Sequence, residues 1–232
     1  MEKKIIFWVV SLSLVAVALA ILLPGGRQAD TNPKLPWRVH VTAQGKVEVF
    51  DLVLGESTLA NARDAFQAEG KVNLFIDDNG DPALEAYFER IFLSGLRADF
   101  ILVLDANAEL LNRLYEHGTH ISRSTSSTHK VALRQDDLQL VRDLPVKLIN
   151  YVPYANLDED LVTSRFGQPA QKITETETGV THWIYPDKGI SIGINPDGKE
   201  LIQYMPLNAI SPFISRIEEN NRRYETAQKA RE

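Results

Sequence analysis

The chain has 232 residues, 44% hydrophobic and 24% charged, a balance that excludes a disordered protein and supplies enough length to bury a core. It has no cysteine, which removes disulfides, thiolate metal sites, cysteine nucleophiles and a lipid-modified cysteine. A net charge of −6 argues against nucleic acid as a partner.

Residues 5–23, IIFWVVSLSLVAVALAILL, contain only two polar side chains, Ser11 and Ser13. As a helix rising about 1.5 Å per residue they span roughly 28 Å, close to the thickness of a bilayer core. Lys3 and Lys4 precede this run and Pro24-Gly25-Gly26 ends it, which predicts a transmembrane anchor over residues 1–26 with a cytoplasmic N-terminus. A cleaved signal peptide competes, because Ala18-Leu19-Ala20 has small-x-small spacing. Against it, Ile21-Leu22-Leu23 carry the apolar run past that point. The expectation is a single-pass inner-membrane protein with its C-terminal domain in the periplasm. Without Glu2, Lys3 and Lys4 the remainder carries 23 basic and 30 acidic side chains, net −7, so membrane contact is expected through residues 5–23 alone. Residues 27–45 are expected as a linker, opening with the proline-containing RQADTNPKLPW.

Beyond the linker the punctuation is regular. Residues 46–54, KVEVFDLVL, alternate as a strand. Gly55-Glu56-Ser57-Thr58 opens a helix, capped by Ser57 or Thr58 and stopped by Gly70, with Leu59, Ala62, Ala65 and Phe66 inward. Strands are expected at 71–77 and 83–93, turned by Asp78-Asn79-Gly80, then at 97–105. A helix over 107–118 presents Leu110, Leu111, Leu114 and Tyr115, closing a first α+β unit at 46–118. Residues 119–145 form a connector, polar over THISRSTSST (119–128), with a short helix at 135–144.

The second unit, 146–210, repeats the order. A strand at 146–152 precedes a helix capped by Asn156 with Glu159 at its third position, and Leu157, Leu161, Val162 and Phe166 form its buried face. Strands at 171–176, 180–185, 189–194 and 199–205 follow. An amphipathic helix over 211–232 starts at Ser211-Pro212 and carries Glu218–Arg222, Glu219–Arg223 and Glu225–Lys229 pairs. Val47 against Lys147, Val49 against Ile149 and Phe66 against Phe166 set an offset near 100 residues, from a duplication or from chance recurrence of one element order.

Leu54-Gly55-Glu56-Ser57-Thr58 before a helix and meander, and Arg165-Phe166-Gly167-Gln168-Pro169 followed by Trp183-Ile184-Tyr185, resemble the SmpA/OmlA (BamE-like) family of small envelope domains. The two-unit order is similar to that of the β-lactamase-inhibitor protein. The resemblance implies an α+β fold of two tandem β-α-meander units, helices packed on antiparallel sheets, behind one transmembrane helix. It also implies binding or scaffolding without catalysis. The chain departs from the family in lacking a lipidated cysteine and in having Glu69-Gly70 without a following proline. The first departure replaces an outer-membrane lipoprotein with an inner-membrane anchored protein.

Little in the sequence announces chemistry. His117, His120 and His129 lie close enough in sequence to bind zinc, but they straddle a helix end and a Ser/Thr-rich connector with no carboxylate inside the run. Asp77-Asp78-Asn79-Gly80-Asp81 lacks the length and terminal glutamate of a calcium loop. There is no G-x-S-x-G elbow and no glycine-rich phosphate loop, and the carboxylate pairs sit at helix starts. No catalytic, cofactor or metal residue is expected. Trp183, Tyr185, Tyr87, Tyr151 and Tyr154 are the candidate partner-binding residues, on strands or just after them. Ordinary cross-strand packing is the competing account of the same rings. The expected function is a non-enzymatic protein-binding or scaffold role in the cell envelope, with another envelope protein as partner. The alternative is an envelope hydrolase with its site between the two units.

Overall fold

Thirteen strands and five α-helices form among the residues that this computed structural model describes, 32–77, 80–123, 129–196 and 198–230. Strands β1 (His40–Val41), β2 (Val47–Val49) and β3 (Leu52–Val53) make a small sheet of their own. Helix α1 (Leu59–Phe66) leads into the meander β4 (Lys71–Ile76), β5 (Pro82–Leu93) and β6 (Leu96–Leu104). Helix α2 (Ala108–His117), the hairpin β7 (His120–Arg123) and β8 (His129–Ala132), and helix α3 (Gln135–Val141) then reach β9 (Val146–Pro153). The chain ends with α4 (Glu159–Phe166), the meander β10 (Gln171–Thr174), β11 (Thr181–Tyr185), β12 (Ile190–Ile194) and β13 (Leu201–Tyr204), and α5 (Ile210–Lys229). Ten strands join in one antiparallel sheet, ordered β10-β11-β12-β13-β9-β6-β5-β4-β8-β7.

The helix ends follow local chemistry. Thr58 caps α1, its hydroxyl accepting from the Asn61 N–H, while the Asn61 side chain accepts from the Thr58 N–H in return. Asp158, not Asn156, caps α4 and accepts from the Leu161 N–H at 2.7 Å. The last helix begins at Ile210 behind a 3₁₀ turn (Leu207–Ala209), with no side-chain cap from Ser211. Glu219 and Arg223 close one of its expected i,i+4 bridges.

Alternation fixes the two faces of the large sheet. Along β6, Ala98, Phe100, Leu102 and Leu104 are at most 3% exposed, while Asp99, Ile101 and Val103 between them are half-buried. The buried face joins one core with α1, α4 and the small sheet, through Leu59, Phe66, Val162, Phe166, Val47 and Leu52. On the opposite face, over the second meander, Ile210, Phe213 and Ile217 of α5 pack against Ile184 and Met205. The Asn221 amide donates to the Thr174 carbonyl and its oxygen accepts from the Thr176 N–H, so α5 straps the end of β10.

The expected strand over 46–54 breaks in two. Phe50 and Asp51 both have positive φ (55° and 62°), the backbone of a two-residue type I′ turn that reverses β2 into β3. The sequence offers no glycine or asparagine there. Instead the turn is held because the Phe50 ring is buried at 3% exposure against Phe100, Tyr151 and Tyr204, with centroids 5.0, 5.5 and 5.5 Å away.

That break undoes the tandem architecture expected from the sequence. The first meander has no counterpart of β9 from its own half: β9 itself pairs with β6 on one side and β13 on the other. The two halves therefore share one sheet and one core, which corrects the expectation of two BamE-like β-α-meander units. The expectations of a transmembrane helix and of a single-pass inner-membrane location are corrected as well. Among the described residues no helix is long and apolar enough to cross a membrane, and residues 5–23 lie outside the described residues. The polar connector at 119–128 also differs: part of it is β7, which pairs with β8 at the sheet edge. Residues 124–128 and the Asp78-Asn79 turn positions lie outside the described residues.

Candidate binding cleft

A cleft of about 550 Å³ opens where the ends of β6 and β9 meet α4 and the segment just before β1. Each wall has a local cause. The β5–β6 hairpin turns at Ser94 and Gly95, both with positive φ (47° and 90°), and so sets Phe92 directly across from Arg97 at the rim. Tyr154 donates its N–H to the Arg97 carbonyl at 3.0 Å, carrying the chain past Pro153 toward α4. Leu161 and Val162 form the helical wall, with Leu157 just before the Asp158 cap and Phe166 at the far end. The C-terminus of α4 is held by Tyr185, whose hydroxyl donates to the Gly167 carbonyl, and by Lys188, whose ammonium donates to the Phe166 carbonyl.

The third wall is Pro36 and Trp37. From Lys34 the expected linker is bonded to the core. The Lys34 N–H donates to Ser94 Oγ at 2.7 Å, its ammonium donates to the Ala65 carbonyl and pairs with Asp51, and Tyr204 donates its hydroxyl to the Pro36 carbonyl at 2.8 Å. Trp37 meets Phe166 edge-on at 6.4 Å, and the Arg165 guanidinium lies 4.8 Å from the Trp37 ring centre. Phe92, 63% exposed, is a large apolar ring left in solvent at the lip of the cleft.

Beside the cleft, Asp99 gathers three donors: the Tyr87 hydroxyl at 3.0 Å, the Tyr154 hydroxyl at 3.3 Å and the Arg90 N–H at 2.7 Å. Burial first, and then the bond to Asp99, push the Tyr87 phenol up to about 12. Lys199 sits 4.5 Å over the Tyr154 ring.

The residues expected to meet a partner divide on this geometry. Tyr154 is exposed at the cleft, and Tyr151 forms its floor at 4% exposure, its phenol pushed by burial to about 12. Tyr87 is half-buried and reaches Asp99 from the neighbouring strand. Trp183 and Tyr185, at 2% and 5% exposure, belong to the core, Trp183 beneath the Lys172 ammonium at 3.5 Å. Sequence reasoning missed Trp37, Phe92, Arg97 and Arg165. A signal did exist for this wall: Leu157, Leu161, Val162 and Phe166 form an apolar set in the sequence, but Leu157 lies before the Asp158 cap and Leu161 on α4 is only half-buried, so both are left at the cleft.

A second constellation has the look of chemistry. His182 Nδ1 lies 3.2 Å from Ser191 Oγ, and its Nε2 lies 3.0 Å from Glu175 Oε1. Ser191 is fully buried, so no substrate reaches its hydroxyl. The line ties β12 to the β10–β11 turn beneath Phe213 of α5. Of the three histidines weighed for metal, His117 places Nδ1 3.6 Å from Asp137 Oδ2, a distance too long for a hydrogen bond, and that buried oxygen has no hydrogen-bond partner. Among the described residues no group of three or more His, Asp or Glu is placed to hold a metal ion.

Comparison of the chain with protein-family models, curated proteins and solved structures finds no match.

Proposed function

We propose that this protein is a non-enzymatic binding module whose cleft receives an apolar segment of another protein. The single observation that carries the reading is the cleft itself. Its lining is rich in apolar side chains, Pro36 and Trp37 before β1, Phe92 on β5, Leu157 before α4, and Leu161 and Phe166 on α4, with the Phe92 ring already out in water. Covering such surface releases water from apolar groups at roughly 25 cal/mol per Å². A strapped Trp37 and a helix-borne Leu161 lose little freedom when a ligand arrives.

Panning a library of displayed random peptides on the full-length protein tests this. The expected result is an apolar, aromatic-containing consensus that binds the wild type and is lost with Leu161→Glu. Leu161 is only half-buried, so the substitution charges the cleft wall without opening the core. No enrichment, or a consensus the variant still binds, overturns the proposal.

A further inference from the structure

The side chains that line the cleft are rich in hydrogen-bond donors and poor in acceptors. No carboxylate, carboxamide or imidazole is among them. Tyr154 gives its hydroxyl to Asp99, and Arg97 belongs by strand register to the sheet face opposite Phe100 and Tyr151. That leaves the Trp37 indole N–H, the Tyr151 hydroxyl and the Arg165 guanidinium, which lies over the Trp37 ring. Among the described residues none of the three makes a hydrogen bond or an ion pair. The side-chain polar atom that is both unpartnered and sealed from water among those residues is Asp137 Oδ2, so the indole N–H and the phenol hydroxyl stay open to water, on rings that wall and floor the cleft. Burial pushes the Tyr151 phenol up to about 12, so at neutral pH it keeps the proton it would donate.

We infer that the partner segment is proline-rich and docks as a left-handed polyproline II helix, its backbone carbonyls accepting from Trp37, Tyr151 and Arg165. This rests on the peptide-binding reading above. The choice follows from what each backbone form brings to a lining of donors. An α-helix pairs its own amides and carbonyls, so its backbone would strip water from Trp37 and Tyr151 and give them nothing to donate to. An extended strand brings an N–H with every carbonyl, and the lining side chains offer those N–H groups only phenol oxygens. A polyproline II segment has no internal hydrogen bonds, and each proline in it presents a carbonyl without an N–H. Its stiffness also lowers the entropy lost on docking. The walls suit it as well. Trp37, Phe92, Tyr151, Tyr154 and Phe166 make an aromatic lining of the kind on which proline-rich segments dock.

The experiment is calorimetric titration of the full-length protein with acetyl-Phe-Pro-Pro-Phe-Pro-Pro-amide, with the same peptide carrying alanine for each proline, and with an amphipathic helical peptide of two Leu-Gln-Gln-Leu-Leu-Gln-Gln repeats. The proline peptide is expected to bind about tenfold tighter than the alanine peptide, and tighter than the helix. Tyr151→Phe removes one oxygen and keeps the ring packed on Phe50 and Phe100, and Trp37→Phe removes the indole N–H and keeps an aromatic wall. Each is expected to weaken the proline peptide about three- to tenfold. Equal or tighter binding of the alanine peptide or of the helix overturns the polyproline assignment while the peptide-binding reading stands. Unchanged affinity in either variant overturns the carbonyl contact assigned to that residue, and in both it overturns the proposal. Absence of binding by all three peptides up to about 1 mM overturns the peptide-binding reading with it.

Discussion

Phe50 offers the sharpest test of how this fold is held. Replacing it by alanine removes a ring that is 3% exposed and touches aromatic residues on β6, β9 and β13 at once. The transfer term for burying a phenylalanine is about 1.5–3 kcal/mol. Three ring contacts add to it, each on the order of 0.5–1.5 kcal/mol and not additive. The cavity has little means of collapse, because Phe50 sits in the tight turn between β2 and β3 and its neighbours lie on paired strands of the large sheet. Nor does alanine relieve the positive φ, since its Cβ meets the same backbone crowding. The sum lies at the upper part of the range for such truncations, about 4 kcal/mol. Urea unfolding of the full-length protein should show that loss. The midpoint of thermal unfolding should fall by about 8–16 °C. Phe92→Ala, which removes the same ring from a 63% exposed position, should change stability by less than about 0.5 kcal/mol. A loss below about 1 kcal/mol for Phe50→Ala would refute the claim that this turn is held by its aromatic contacts.

Three further outcomes follow from local geometry. Gly189 has φ +65° and its missing side chain faces the Met205 carbonyl oxygen and the Val47 side chain, so Gly189→Ala should cost about 3 kcal/mol or more in denaturant unfolding. Burial raises the Glu85 carboxyl above its ordinary 4.5, so stability is lost progressively as pH rises from that unfolded value through the higher folded one. Glu85→Gln should therefore stabilise at pH 7, with the gain disappearing below about pH 4, where the folded and unfolded carboxyls are both protonated. Urea midpoints across that range would read it, and a gain independent of pH would contradict the assignment. Asp99→Asn should lower the Tyr87 phenol from about 12 toward its ordinary 10, read by ultraviolet titration; an unchanged titration would mean that Asp99 contributes nothing to the shift.

The elements of this fold could largely be read from the sequence, and their partners could not. The expected helix over 107–118 forms as α2 with Leu114 inward, because a 3.6-residue apolar period and an Asn107 cap are both local signals. Tyr115, expected inward, is half exposed, since that helix packs along a narrower stripe than its apolar residues suggest. The β2–β3 reversal was invisible because Phe50-Asp51 is a poor turn sequence in isolation and is stabilised by rings more than 45 residues away. The same holds for β9. Its alternation, Ile149, Tyr151 and Pro153 inward, reads as a strand in any context, and nothing in it says that β6 will be its neighbour. For the cleft, Tyr151 and Tyr154 were accessible to inspection because aromatic residues stand out. Arg97 and Arg165 were not, because an arginine on a strand or helix usually points to water.

The position of β9 has a consequence for how this chain must emerge from the ribosome. By the time Pro153 has been made, one flank of β9 can settle on β6, but its other flank waits for β13, which begins at Leu201. At about 5–20 residues per second that interval lasts roughly 2–10 s. Throughout it, Ile149 and Tyr151 lie on a strand whose second edge has nothing to pair with except a neighbouring chain. On a crowded polysome the nascent protein would pass through its period of greatest risk of intermolecular pairing with about two thirds of its sequence already translated.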